Sequence, residues 1–231
     1  MKSNWKFTVV MLIVALSSAI AQDAKTKYPT MAPLEQYLIA DRDAEIALAR
    51  SAGPMSISSN AEVLVLTKHG YETAVKGTNG FTCIVERGWS AGIDDTDFWN
   101  PKLRGPLCLN EAGAKFEIPV TVKRTELALA GRSKAEIFEE LKAAYAKKEL
   151  PAPEPGAMCY MLSKQGYLND RAGHWHPHLM FFVPEIDPKV WGANAASSPI
   201  LAIEDPIERM TLFLVPLSQW SDGTPGPNGM D

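Results

Sequence analysis

Glu62-Val63-Leu64-Val65-Leu66-Thr67-Lys68-His69-Gly70-Tyr71-Glu72-Thr73-Ala74-Val75-Lys76-Gly77-Thr78-Asn79-Gly80-Phe81-Thr82-Cys83-Ile84-Val85-Glu86 is the stretch that decides the fold. Val63 to Leu66 is apolar on both faces, the mark of a buried strand. His69-Gly70 turns the chain. Tyr71 to Lys76 alternates, and Thr78-Asn79-Gly80 turns it again. Phe81 to Glu86 then places Phe81, Cys83 and Val85 on one face of a third strand. Three strands joined by tight turns predict a β-meander.

Upstream, Pro33 to Ser51 reads as one helix. Pro33 suits a first turn, Leu34, Tyr37 and Leu38 share a face, and Glu45 to Arg50 are good helix formers. Gly53-Pro54 stops it. Downstream, Arg87 to Ala112 is a long irregular stretch rich in Gly, Pro and Asp. Pro119 to Ala130 reads as a helix ending at Gly131. Ser133-Lys134-Ala135-Glu136 is a capping box, and Ile137, Phe138, Leu141, Ala144 and Tyr145 form one stripe behind it. After the Pro-rich linker at 151–155, four short apolar runs read as strands: Ala157–Ser163, His178–Val183, Ile200–Ile203 and Met210–Leu217. Helices lying between two blocks of strands predict an α+β fold, with a mainly antiparallel sheet and helices packed to one side. Residues 22–231 read as a single domain with a flexible tail at 221–231.

The first 21 residues carry a secretory pattern: Lys2 and Lys6, an apolar core from Phe7 to Leu16, and Ala19-Ile20-Ala21 before Gln22. Export to the periplasm or beyond follows, where cysteines can pair. The remaining 210 residues hold 21 basic against 27 acidic groups, a net charge of −6 that argues against nucleic-acid binding. No later apolar run is long enough to span a bilayer as a helix.

Three of the four histidines fall in His174-Trp175-His176-Pro177-His178. In an extended segment, positions i, i+2 and i+4 share a face. His174, His176 and His178 can then converge on zinc or another divalent transition metal, with Asp170 as a further ligand. Such a site could serve a hydrolytic enzyme by activating water. Against this, Pro177 interrupts regular pairing, so the histidines can equally be a loop and a strand start. His69, in a turn, is not part of the set. Gly88-Trp89-Ser90-Ala91-Gly92 matches a nucleophile elbow, and Ser90, Asp170 and His176 fall in hydrolase order. The loop sequence after it supplies no helix for such an elbow. Asp94, Asp95 and Asp97 read as a solvated loop, or as carboxylates for Ca²⁺. Trp89 and Trp99 are either a binding surface or a satellite core.

Three cysteines allow three single pairings, and spacing alone does not choose. Two blocks bear on the choice. One runs from Gly53-Pro54 through Gly77-Thr78-Asn79-Gly80-Phe81-Thr82-Cys83 to Pro106-Leu107-Cys108-Leu109-Asn110. The other holds Gly156 to Leu162, Pro177-His178-Leu179-Met180 and Trp220-Ser221-Asp222-Gly223. Together they resemble a family of exported bacterial proteins of unassigned activity. The resemblance implies a Cys83–Cys108 disulfide and brings no catalytic residues. Cys159 lies outside the pattern and is expected to be free and buried. Closing the Cys83–Cys108 excursion is worth roughly 3.5 kcal/mol on the chain-entropy estimate. The leading expectation is a binding or assembly domain for a small molecule or a protein. A metal-dependent hydrolase and a serine hydrolase through Ser90 are the alternatives.

Exported protein is expected to begin at Gln22, which intact-mass analysis checks. A mass that retains Met1 to Ala21 contradicts the export reading.

Overall fold

The computed structural model describes residues 27–227, so the leader assigned to 1–21 lies outside the described residues. Eight strands form one sheet: β1 Glu62–Thr67, β2 Gly70–Val75, β3 Thr82–Glu86, β4 Gly105–Leu109, β5 Met158–Met161, β6 His178–Pro184, β7 Leu201–Asp205 and β8 Met210–Pro216. Their spatial order is β2-β1-β3-β4-β5-β6-β8-β7. Every neighbouring pair is antiparallel except β1 and β3. The helices are α1 Arg42–Arg50, the single turn α2 Met55–Ser58, α3 Glu111–Leu129 and α4 Lys134–Ala146. This is the expected α+β class with a mainly antiparallel sheet.

The opening meander needs correction. β1 and β2 form the hairpin, but β3 crosses to the other side of β1 and runs parallel to it through Glu62↔Thr82 and Val63↔Cys83. Burial explains the choice. β2 is largely exposed and belongs at an edge, whereas Cys83, Ile84 and Val85 are buried and need neighbours on both sides. Gly77 permits the crossing, because a Cβ there would lie 2.2 Å from the Glu62 amide nitrogen.

The single helix over Pro33–Ser51 is also corrected. Leu34–Gln36 is one 3₁₀ turn, and α1 starts only after Asp41, whose carboxylate accepts from the amides of Asp43 and Ala44. The break lets Tyr37 enter the core, where its hydroxyl donates to the Trp99 carbonyl at 2.8 Å. The irregular reading of Arg87–Ala112 hides β4, whose five residues are all buried. Pro106 is tolerated because β5 pairs with β4 only at Cys108 and Leu109, leaving that side of Pro106 without a ladder partner. α3 begins eight residues before Pro119, capped by Asn110, and Pro119 sits on its exposed side. α4 carries the expected capping box and buried stripe. Residues 221–227, expected within a loose tail, turn back on the fold: the Ser221 amide donates to the Leu162 carbonyl and Lys164 pairs with Asp222.

Alternation along the strands separates two faces. Val63, Val65, Cys83, Val85 and Cys108 pack under Ala49 and Ala52 of the α1 region. Leu64, Ile84, Leu107, Leu109 and Cys159 pack under Phe116 of α3 on the opposite face. Cys83 and Cys108 are directly opposed across β3 and β4 and form a disulfide, and Cys159 is free and buried.

One ion pair ties these parts together. Arg87 and Glu45 are both buried and pair at 2.8 Å. Arg87 also donates to the carbonyls of Tyr37 and Val85, and Glu45 accepts from the Leu66 amide. Breaking a buried pair leaves an uncompensated charge, at a cost of about 3–5 kcal/mol. Arg87→Met is therefore expected to lower the urea midpoint by that equivalent. The double variant Glu45→Leu/Arg87→Met is expected to recover a large part of it. Equal loss in both variants would contradict this account.

Candidate functional site

The histidine segment is not one extended face. Regular strand begins only at His178. His174 is exposed, His176 half-buried and His178 buried, while Trp175 and Pro177 between them are buried too. His178 Nδ1 lies 2.7 Å from the His176 carbonyl oxygen. Burial pushes the His178 pKa down, keeping the ring neutral. Asp170 is engaged elsewhere: it accepts from Lys27 and from the hydroxyls of Tyr28 and Tyr167, with Lys102 at 3.5 Å. The Lys27 bond, followed by those from Tyr167 and Tyr28, holds its carboxyl well below the usual range. His174, His176, His178 and Asp170 are not brought together as a ligand set. Among the described residues, no group of three or more His, Cys, Asp or Glu is placed to hold a metal ion.

Ser90 ends a 3₁₀ turn, Gly88–Ser90, after which the chain leaves as extended backbone rather than as a helix. Its Oγ is enclosed and, among the described residues, has no hydrogen-bond partner that could act as its base. The first glycine of the elbow-like motif has a packing reason, since a Cβ on Gly88 would lie 2.6 Å from the Phe98 carbonyl oxygen. Trp89 and Trp99 are buried in one cluster with Tyr37, Phe98 and Phe138, so they are core. Asp95 and Asp97 cap their own loop, accepting from the Asp97 amide and the Asn100 side chain.

The densest chemistry is a cluster that sequence reading missed. Glu86 of β3 faces Glu117, Thr121 and Arg124 of α3. Thr121 Oγ1 lies 2.9 Å from Glu86 Oε1 and 3.3 Å from Glu117 Oε1. Arg124 donates to Glu208 and to the carbonyls of Trp89 and Ala91, and its guanidinium lies 5.0 Å from the Phe138 ring centre. Three carboxyl groups thus share one guanidinium in a desolvated space. Burial, the dominant cause, pushes Glu86 up to about 7 and Glu117 well above the ordinary range. Glu208 is pushed up by burial as well, against the pull of Arg124. Both Glu86 and Glu117 are half-buried between β3 and α3. The signal in the sequence is faint: Glu117, Thr121 and Arg124 recur at helical spacing on a face that is otherwise apolar.

Two features are open to solvent. Adjoining depressions of about 450 and 560 Å³ share Gly80, Phe81, Glu111 and Lys115, where the Thr78–Gly80 turn meets the start of α3. Exposed large apolar side chains also occur at the other end of the sheet, at Val190, Trp191, Leu201, Ile203 and Leu217, with Leu201 and Ile203 on the face of Leu214 and Leu212, opposite the face of Phe213. Trp191 stacks on Phe213 with ring centres 4.2 Å apart and 16° between planes, and lies 5.8 Å from Phe181.

No family model, curated protein or solved structure matches this chain. The exported family it resembles therefore stands as an expectation, and function rests on the geometry.

The carboxyl cluster sets a pH dependence. A folded pKa above the unfolded one means that the native state binds more protons, so stability falls as pH rises. For Glu86 the window runs from its ordinary value near 4.5 to about 7. Urea midpoints are expected to fall between about pH 5 and about pH 8, by the equivalent of on the order of 3 kcal/mol or less. Glu86→Gln, which keeps an acceptor for Thr121, is expected to reduce that slope and leave the part contributed by Glu117 and Glu208. An unchanged slope in that variant would assign the dependence to other groups.

Proposed function

We propose that this is an exported binding or assembly domain, periplasmic or secreted, that contacts a protein partner through the β6–β8–β7 end of its sheet and the 3₁₀ turn Pro188–Trp191. One observation carries the reading. Of the eight exposed large hydrophobic side chains among the described residues, five lie at this end, with Val190 at 66% and Ile203 at 55% exposure. Met55, Ile93 and Leu168 are separate in sequence from this group. Leu201 and Ile203 lie on one face of the sheet and Trp191 stacks on Phe213 of the other, so the set wraps around the β7 edge rather than covering one face. Single exposed apolar residues are ordinary, but their concentration about one edge supports a contact there.

The chemistry of the patch suits a protein partner. Trp191 is held by its stack on Phe213, so its ring is ordered before binding and less entropy is lost on contact. Half-buried Leu179, Phe181 and Val215 continue the apolar surface on the face that carries Phe213. The Cys83–Cys108 disulfide is compatible with an oxidising compartment. The metal-dependent and serine hydrolase alternatives find no supporting arrangement among the described residues.

A photo-crosslinking side chain at Val190 in the producing cell's envelope is expected to yield an adduct with a partner. The same probe at Glu139, exposed on α4, is expected to yield none. Trp191→Ala is expected to reduce the Val190 adduct at least tenfold. Equal adducts at both positions, or none at Val190, contradict the proposal.

A further inference from the structure

β7 is an edge strand, and its outer side is not bare. Asn194 lies against it with its side chain squared to the backbone of Ala202. Asn194 Oδ1 accepts from the Ala202 amide at 2.9 Å, and Asn194 Nδ2 donates to the Ala202 carbonyl at 3.0 Å. The Asn194 amide also donates to the Ile200 carbonyl at 3.0 Å. A residue opposed in a neighbouring antiparallel strand would make that same two-way pair with Ala202. One side chain therefore occupies the place of a strand.

The segment that presents this side chain is Gly192-Ala193-Asn194-Ala195-Ala196-Ser197-Ser198, built of small residues. Asn194 and Ser197 both hold left-handed backbone, at φ 58° and 64°. Asn tolerates that region; Ser does so less readily. The segment is thus bent to reach the edge and has little apolar packing of its own, since of these residues only Ala193 is buried.

We infer that the β7 edge is a strand-addition site held shut by Asn194, and that its occupant is the β7 edge of a second copy of this chain. The inference rests on the reading of this end of the sheet as a contact surface. The edge is self-complementary in one register. Ala202 and Glu204 turn their backbone groups outward, by alternation from Ala202. Centring the two-fold on Ala202 places Leu201 of one copy opposite Ile203 of the other, on a shared face. Both side chains are exposed in the single chain. Glu204 then lies opposite Ile200, and Asp205 opposite Pro199, so no acid meets an acid. Centring on Glu204 would oppose two carboxylates directly, and centring on Ile203 would set Leu201 against Asp205. Both are poorer cross-strand pairs.

Sedimentation velocity on the mature protein tests this. Asn194→Ala is expected to tighten dimerisation at least tenfold over the parent chain. Its dimer should protect the Ala202 amide from hydrogen exchange. Adding Ile203→Lys to that variant puts charge where the apolar pair forms, at a position already exposed, and is expected to restore the monomer. Circular dichroism checks that each variant is folded. A folded Asn194→Ala chain that stays monomeric overturns the inference, whether or not it takes up some other extended segment. So does a dimer that survives Ile203→Lys, or one that leaves the Ala202 amide unprotected. The crosslink at Val190 reads the contact surface separately, so either idea can fail alone.

Discussion

The Arg87–Glu45 pair is the contact on which the arrangement depends. Glu45 comes from α1 and Arg87 follows β3, and their remaining hydrogen bonds reach Tyr37, Leu66 and Val85. Two charges taken out of water favour folding only if nearly every lone pair and proton finds a partner. That demand fixes where α1 lies, and α1 in turn covers the Cys83–Cys108 disulfide and the face of β1, β3 and β4. An apolar pair of similar volume could fill the space but would leave the Leu66 amide without its acceptor.

This clamped end contrasts with the other half of the sheet. β3 and β4 are covered on both faces, by the α1 region and by α3. β7 has two exposed aliphatic side chains and a neighbour on only one side. The interior also holds a polar layer between α3 and the sheet, where Glu86, Glu117 and Glu208 share Arg124. Burial raises the pKa of all three acids around the one guanidinium of Arg124, which links the seating of α3 to pH. This layer makes the packing of α3 responsive to pH. One end of the sheet is thus covered on both faces, and the other carries exposed aliphatic side chains.

Much of this was legible from local pattern. β1, β3, β6 and β8 follow from short apolar runs, and α4 from its capping box and stripe. The errors have physical causes. A hairpin and a meander begin with the same strands, and only the unequal burial of β2 and β3 sends β3 across to the far side of β1. β4 was hidden by Gly105 and Pro106, residues that signal a loop unless one knows that no strand pairs with Pro106 on its far side. The helix at Pro33–Ser51 was broken by Tyr37, whose burial against Trp99 is a contact 62 residues away. The same limit governs the site. His174, His176 and His178 looked convergent because adjacency in sequence was all that could be seen, whereas Glu86, Glu117 and Glu208 come from three segments and meet only in space.

Residue-resolved hydrogen exchange on the unmodified protein tests most directly the claim that one end is locked and the other open. The account predicts a gradient along the sheet: the amides of Ile84 and Leu107 exchange only through global unfolding, and the outward-facing amide of Glu204 exchanges fastest of the strand amides. Uniform protection from β3 to β7, or slower exchange in β7 than in β3, would contradict it.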